Sequence, residues 1–170
     1  TLNLQNAPYD GGLEYRTHVS DYGWQDYAKE GEVSGTTGQS KSVQAIQIRL
    51  TGEMANRYDV YYRAHVQDKG WLGGACNDQV AGTTGFGLRL EAYQVVLVEK
   101  GSPAPGDTSQ PSIQRSFSIK AHVSNLGWQQ PVYEGTTAGT TGRNLAVEAL
   151  KISRPDLGYS GNIEYRAHVQ

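Results

Sequence analysis

The stretch Tyr62-Arg63-Ala64-His65-Val66-Gln67-Asp68-Lys69-Gly70-Trp71 decides the fold. Its first residues alternate, so that Tyr62, Ala64 and Val66 share one face of an extended chain while Arg63, His65 and Gln67 share the other. This is the pattern of a strand with one apolar side. What makes it decisive is that the chain says it again.

His-Val pairs stand at His18, His65, His122 and His168, separated by 47, 57 and 46 positions. Each of the first three is followed, six residues on, by the Trp of a Gly-Trp pair: Trp24, Trp71 and Trp128. Gly-Thr-Thr-Gly begins eleven residues after each Trp, at 35–38, 82–85 and 139–142, and seven residues beyond it an Ala (Ala45, Ala92, Ala149) opens an apolar run. Fixed offsets through three copies mean one repeated unit. The 57-residue interval contains a Pro-, Gly- and Ser-rich insertion at 101–111, which reads as a surface loop. The units run approximately 13–59, 60–115 and 116–162, with a last strand at 163–170, and are expected to form a single domain over 1–170.

Each unit is expected to contain the Tyr-Arg-x-His-Val strand, called A, and a strand B that follows Gly-Thr-Thr-Gly. In B, the sets Ile46, Ile48, Leu50 and Tyr93, Val95, Leu97 are expected to face the core. Trp24 to Tyr27 and Glu32 to Ser34 could pair as a small hairpin between A and B. Strand B is expected to pair with the A of the next unit, and residues 1–4 read as the remnant of a preceding B. The fold class is therefore all-β: three internal repeats in a pseudo-threefold, β-prism-like or β-trefoil-like body. An open array, in which units touch only their neighbours, is the alternative.

Composition agrees. The 170 residues include 21 Gly, 11 Tyr and 3 Trp, which suits strands joined by tight turns. With 15 basic and 17 acidic residues, no field favours nucleic acid or an anionic membrane surface. No run approaches the roughly 20 apolar residues of a spanning helix. The chain opens on Thr1, which reads as a mature form or a piece of something longer. Cys76 is the single cysteine, so neither an intramolecular disulfide nor a thiolate metal cluster is expected.

Taken together, Tyr62-Arg63-Ala64-His65-Val66-Gln67, Gly70-Trp71, Ala81-Gly82-Thr83-Thr84-Gly85 and Leu90-Glu91-Ala92 resemble the clostridial hydrophobic-tryptophan (ChW) repeat, and the resemblance spans all three units. It departs at Ser116 to Lys120, where Tyr-Arg is missing from strand A, at Gln44 in place of Glu, and at Gly73-Gly74 in place of a second aromatic. The resemblance implies display by Gram-positive bacteria, secreted or at the cell surface, in proteins associated with adhesion, the cell wall or polysaccharide. It supplies no catalytic residues.

Candidate ligand-binding residues follow from the repeat. Trp24, Trp71 and Trp128 could stack on sugar rings, but a large side chain at one fixed place in a small unit is first expected to anchor the core. Tyr22, Tyr27 and Tyr133 are expected to be exposed and so better platforms. Thr36, Thr83 and Thr140 could line a shallow site, although Gly-Thr-Thr-Gly is first of all expected to be a tight turn with positive φ at its glycines. Equivalent histidines invite a metal, yet His18, His65 and His122 lie in different units with no second ligand at suitable spacing, so no metal and no cofactor are expected. The histidines are instead expected near Glu91 and Glu148, and those glutamates with Arg16, Arg63 and Arg166 as cross-strand ion pairs. No catalytic motif occurs, and three dilute copies are unlike an asymmetric active site. The expected function is non-catalytic attachment to a polysaccharide or cell-wall glycan, with protein adhesion or self-assembly as the alternative and no partnership with nucleic acid or inserted membrane.

Overall fold

A computed structural model describes residues 1–115, 117–133, 135–153 and 164 of the chain. The protein is all-β and threefold repeated, with one sheet built around the strand A of each repeat. Among the described residues the one α-helix is a six-residue turn, α1 (Gly52–Arg57). The chain divides into two compact units, Thr1–Gln114 with the first two repeats and Arg115–Gln170 with the third. The expected last strand at 163–170, with Arg166 and His168, lies outside the described residues apart from Glu164.

The same plan recurs three times. Strand A is β1 (Gly11–Val19), β5 (Tyr58–Val66) and β11 (Ser118–Val123). A two-residue strand holding Gly-Trp follows, β2 (Gly23–Trp24), β6 (Gly70–Trp71) and β12 (Gly127–Trp128). Next comes a second short strand, β3 (Ala28–Lys29), β7 (Ala75–Cys76) and β13 (Val132–Tyr133). Strand B closes the unit as β4 (Val43–Thr51), β9 (Leu90–Glu99) and β14 (Val147–Ser153).

Strand B pairs antiparallel along the whole of its own unit's A, not the next one's: Tyr15 faces Ile48, Tyr62 faces Val95 and Ile119 faces Ile152. A strand has only two edges, so the two short strands share the other edge of A, at opposite ends. They pair with A and not with each other, which replaces the expected hairpin. The pairing to B within a unit wins because A and B are long and apolar enough to zip over eight or nine residues, while the path from β4 to β5 is taken by α1, whose Met54 plugs the core.

The inner face is as the alternation requires. Leu13, Tyr15 and Val19 of β1 and Val60, Tyr62, Ala64 and Val66 of β5 are buried, with Ile46, Ile48 and Leu50 of β4. Each fully buried side chain of this size stabilises by about 1.5–3 kcal/mol. The seam between the first two repeats runs over β4. Ile48 N donates to the Tyr62 hydroxyl at 3.0 Å, that hydroxyl donates to the Gln79 carbonyl, and Asp78 N donates to Ile48 O at 2.8 Å. Residues 1–4 form no strand, yet Leu2 repeats this arrangement: its N donates to the Tyr15 hydroxyl at 3.0 Å, Tyr15 donates to the Glu32 carbonyl, and Gly31 N donates to Leu2 O at 3.0 Å. In the third repeat Ile119 stands where Tyr15 and Tyr62 stand, with no hydroxyl to offer.

Two expectations fail here for one reason. Tyr93 and Val95 of β9, read as core, are exposed, because among the described residues β9 pairs with β5 alone, whereas β4 is covered by β8 (Ala81–Thr84) and buried on both faces. The Gly-Thr-Thr-Gly of the second repeat is accordingly part of a strand rather than a turn: β8 pairs antiparallel with β4 and parallel with β10 (Ser112–Gln114) at the end of the insertion. Gly82 is needed there, with φ +118° and an added Cβ only 2.5 Å from the Gln44 carbonyl oxygen. The copies at 35–38 and 139–142 do keep irregular backbone with positive φ at their glycines.

Candidate functional site

The outer face of each strand A carries the same cluster, and the chain builds it in three steps. After each His-Val a tight turn reverses the backbone, with Gly23, Gly70 and Gly127 at φ of 75°, 75° and 72°. An L side chain resists that conformation, which is why Gly precedes each Trp. The turn sets Trp opposite His in all three repeats. The residue after each Trp then donates its N–H back to strand A, Gln25 to Thr17, Leu72 to Ala64 and Gln129 to Ala121, at 2.8–2.9 Å. Indole and imidazole meet edge to face, with centroids 5.3–5.5 Å apart.

The second step is a bulge. Opposite the His-Val pair, strand B holds one extra residue, Gln44, Glu91 or Glu148. A bulge re-aims a side chain, and here it brings the carboxylate to the imidazole: His65 Nδ1 lies 3.3 Å from Glu91 and His122 Nδ1 lies 2.9 Å from Glu148. In the first repeat the neighbour is Gln44, and burial holds the His18 imidazole below its ordinary pKa, with the Gln44 side chain working the other way.

Arg completes the cluster. Arg63 lies over the Trp71 ring at 4.7 Å and donates Nε–H to Gln94 at 2.8 Å, while Arg16 lies over Trp24 at 5.1 Å and donates to Gln47 at 2.8 Å. Such cation–π pairs are worth about 0.5–2 kcal/mol. The ion pairs expected between these arginines and the repeated glutamates are absent, because both arginines turn to Gln on strand B and the glutamates turn to His. The third repeat changes both members of the Arg–Gln pair, to Lys120 and Lys151.

The tryptophans are therefore not core anchors. Trp71 is 41% exposed and Trp128 52%, and Trp24 is half-buried. The reason is the turn, which lays each indole on the polar face of A, while Tyr15, Tyr62 and the aliphatic residues fill the inner face. Of the tyrosines, Tyr22 is 55% exposed, as expected. Tyr27 and Tyr133 are half-buried instead, each under a guanidinium: Arg49 at 3.8 Å and Arg16 at 4.7 Å from Tyr27, and Arg115 at 3.5 Å from Tyr133. Burial and a hydrogen bond to Asp78 push the Tyr27 phenol up to about 12. Thr83 is wholly buried in β8, while Thr36 and Thr140 are half-buried residues whose hydroxyl oxygens are turned inward.

Three residues that matter here escaped the sequence reading. Gln47 and Gln94 recur two places after the Ala of strand B, a signal that periodicity could have supplied. Asp78 could not be found that way, since the other repeats have Gly31 and Gly135 at its place. Asp78, Gly31 and Gly135 all adopt positive φ, and Asp78 uses that strained position to tie the seam, accepting from Tyr27 at its carboxylate and from the Gln47 amide at its carbonyl.

Among the described residues no group of three or more His, Cys, Asp or Glu side chains could hold a metal ion, and no helix is long and apolar enough to cross a membrane. The arrangement sets flat indoles at the surface, held by fixed polar neighbours. In comparisons with known proteins, the profile of a family described as clostridial hydrophobic W matches residues 18–52, 65–99 and 122–154, more than half of the chain. No curated protein and no solved structure matches.

Proposed function

Because the chain belongs to the clostridial hydrophobic W repeat family, with each matched segment running from the His of one strand A to the end of its strand B, we propose that it is a non-catalytic extracellular module that attaches to polysaccharide or cell-wall glycan through its exposed indoles. The observation that carries this reading is the exposure of Trp71 and Trp128 on the polar face of their sheets, each fixed by a histidine and, at Trp71, by an arginine. A ring held in place loses little freedom when a sugar face stacks on it. Repetition suits a polymer, since linked weak sites gain avidity from effective concentration. Secretion or cell-surface display follows from such a target.

Retention on insoluble cell-wall polysaccharide tests it. The protein is expected to be retained and to be released by soluble fragments of the same glycan. Trp71→Ala and Trp128→Ala are each expected to weaken retention roughly 2–10-fold, on the scale of aromatic contacts, and the double variant more steeply than either. Retention unchanged in the double variant would overturn it.

A second reading, protein adhesion or self-assembly, draws on β9, whose outer edge meets no strand among the described residues and whose Tyr93, Val95 and Val96 are exposed. Retention on protein alone, with no effect of soluble glycan, would favour it.

A further inference from the structure

The first two repeats also differ where an aromatic ring is lost, at Tyr27 and Gly74. In the first, Tyr27 lies between two guanidinium groups, Arg16 and Arg49, and its hydroxyl donates to Asp78. At the same place the second repeat has Gly74, and Val96 stands where the first has Arg49. Arg63 keeps the position of Arg16 and is covered on one side by Trp71, but no ring of its own repeat lies where Tyr27 would.

A groove of about 520 Å³ opens there, lined by Arg63, Gln94, Val96, Tyr61 and Gly74, with the insertion at 105–108 as its far wall. The insertion is anchored on the two glycines: Gly73 N donates to Gln110 O at 3.0 Å and Gly74 N to Asp107 O at 2.7 Å. Gly73 is required by that contact, because a Cβ would lie 2.9 Å from Gln110 N. Gly74 is not, since its Cβ would meet only Asp107 O at 3.5 Å and Thr108 Cγ2 at 3.6 Å. A methyl group would therefore be tolerated at Gly74, in van der Waals contact with the loop.

We propose that this groove is a binding site for the phenol ring of a tyrosine presented by a protein partner. The chain supplies the template, since a tyrosine fills the equivalent place in the first repeat. The electrostatics match as well: the π face of a phenol complements the positive charge of Arg63, Val96 gives an apolar floor, and Asp107 and Thr108 at the rim offer acceptors for the hydroxyl. The Arg63 guanidinium is already oriented by Gln94, so the ring meets a fixed partner.

Titration of the full chain with N-acetyl-L-tyrosinamide, followed by NMR at the Val96 methyl groups and the Gly74 N–H in the groove, tests this. Saturable shifts with a dissociation constant on the order of 1 mM are expected for so small a fragment, with none from N-acetyl-L-leucinamide. Gly74→Tyr places a ring in the groove from within and is expected to abolish the shifts. Should that variant fail to fold, Arg63→Gln is expected to weaken the titration at least 5-fold. The proposal is overturned if the tyrosine derivative gives no saturable shift, if the leucine derivative does as well, or if N-acetylglucosamine alone shifts these signals, which would make the groove a glycan subsite. Trp128→Ala is expected to leave the titration unchanged, which separates this site from the indole platforms.

Discussion

Tyr62 shows how much one hydroxyl can hold in this molecule. It accepts from Ile48 N and donates to the Gln79 carbonyl across the seam between the first two repeats. Burial raises its pKa above the ordinary phenol value, so it stays a donor through the physiological range. Tyr62→Phe keeps the ring and strands both backbone groups, and is expected to cost about 1–3 kcal/mol, read as a lower urea midpoint at unchanged slope. A second residue-scale expectation concerns His18, whose imidazole is held low by burial. Placing a carboxylate at Gln44, as the other repeats do, is expected to raise the His18 pKa, because an opposite charge favours the protonated ring; an NMR titration of Gln44→Glu against the parent reads it. Sequence alternation identified Tyr62 and Val66 as inward and Arg63 and His65 as outward. It could not place the tryptophans, since each sits in a two-residue strand too short to have a period, and its side is set by the turn before it.

Among elements, strand A and strand B were legible because their apolar residues recur at every second place, and their pairing was not, because both the next A and the unit's own A offer the same apolar face. The insertion was legible as a loop, but its return to the sheet as β10 was not. The second Gly-Thr-Thr-Gly is the instructive miss: the same four residues are turn-like at 35–38, whereas at 82–85 the first three lie in a strand, with β4 and β10 to either side. Gly82→Ala would drive a methyl group into the Gln44 carbonyl at a positive φ, and is expected to cost about 3 kcal/mol, while Gly106→Ala, in open space, serves as a near-neutral control. The outer end of β5 has its own acid dependence. Asp59 is held down to about 2 by the Lys100 ammonium, the Gly101 amide and the Asn77 side chain. Above about pH 4, the unfolded value, its contribution is complete, and it is lost as pH falls from there to about 2, since the unfolded chain takes up the proton first. Asp59→Asn is expected to flatten that part of a stability profile measured by urea unfolding at successive pH values.

For the whole molecule, three copies of a motif do not give three equal bodies. The first two repeats share a seam, and the described part of the third rests on a small buried set, Ala121 and Val123. Calorimetry is therefore expected to show Tyr62→Phe lowering the transition of the 1–114 unit. The antiparallel pairing has a mechanical consequence. Gly12 faces Thr51, Tyr58 faces Glu99 and Ser118 faces Ser153, so the chain enters and leaves each sheet at one corner. A pull between those two points would part the rungs one after another, as a zipper opens, instead of shearing them together. Under tension such a unit yields softly and lengthens.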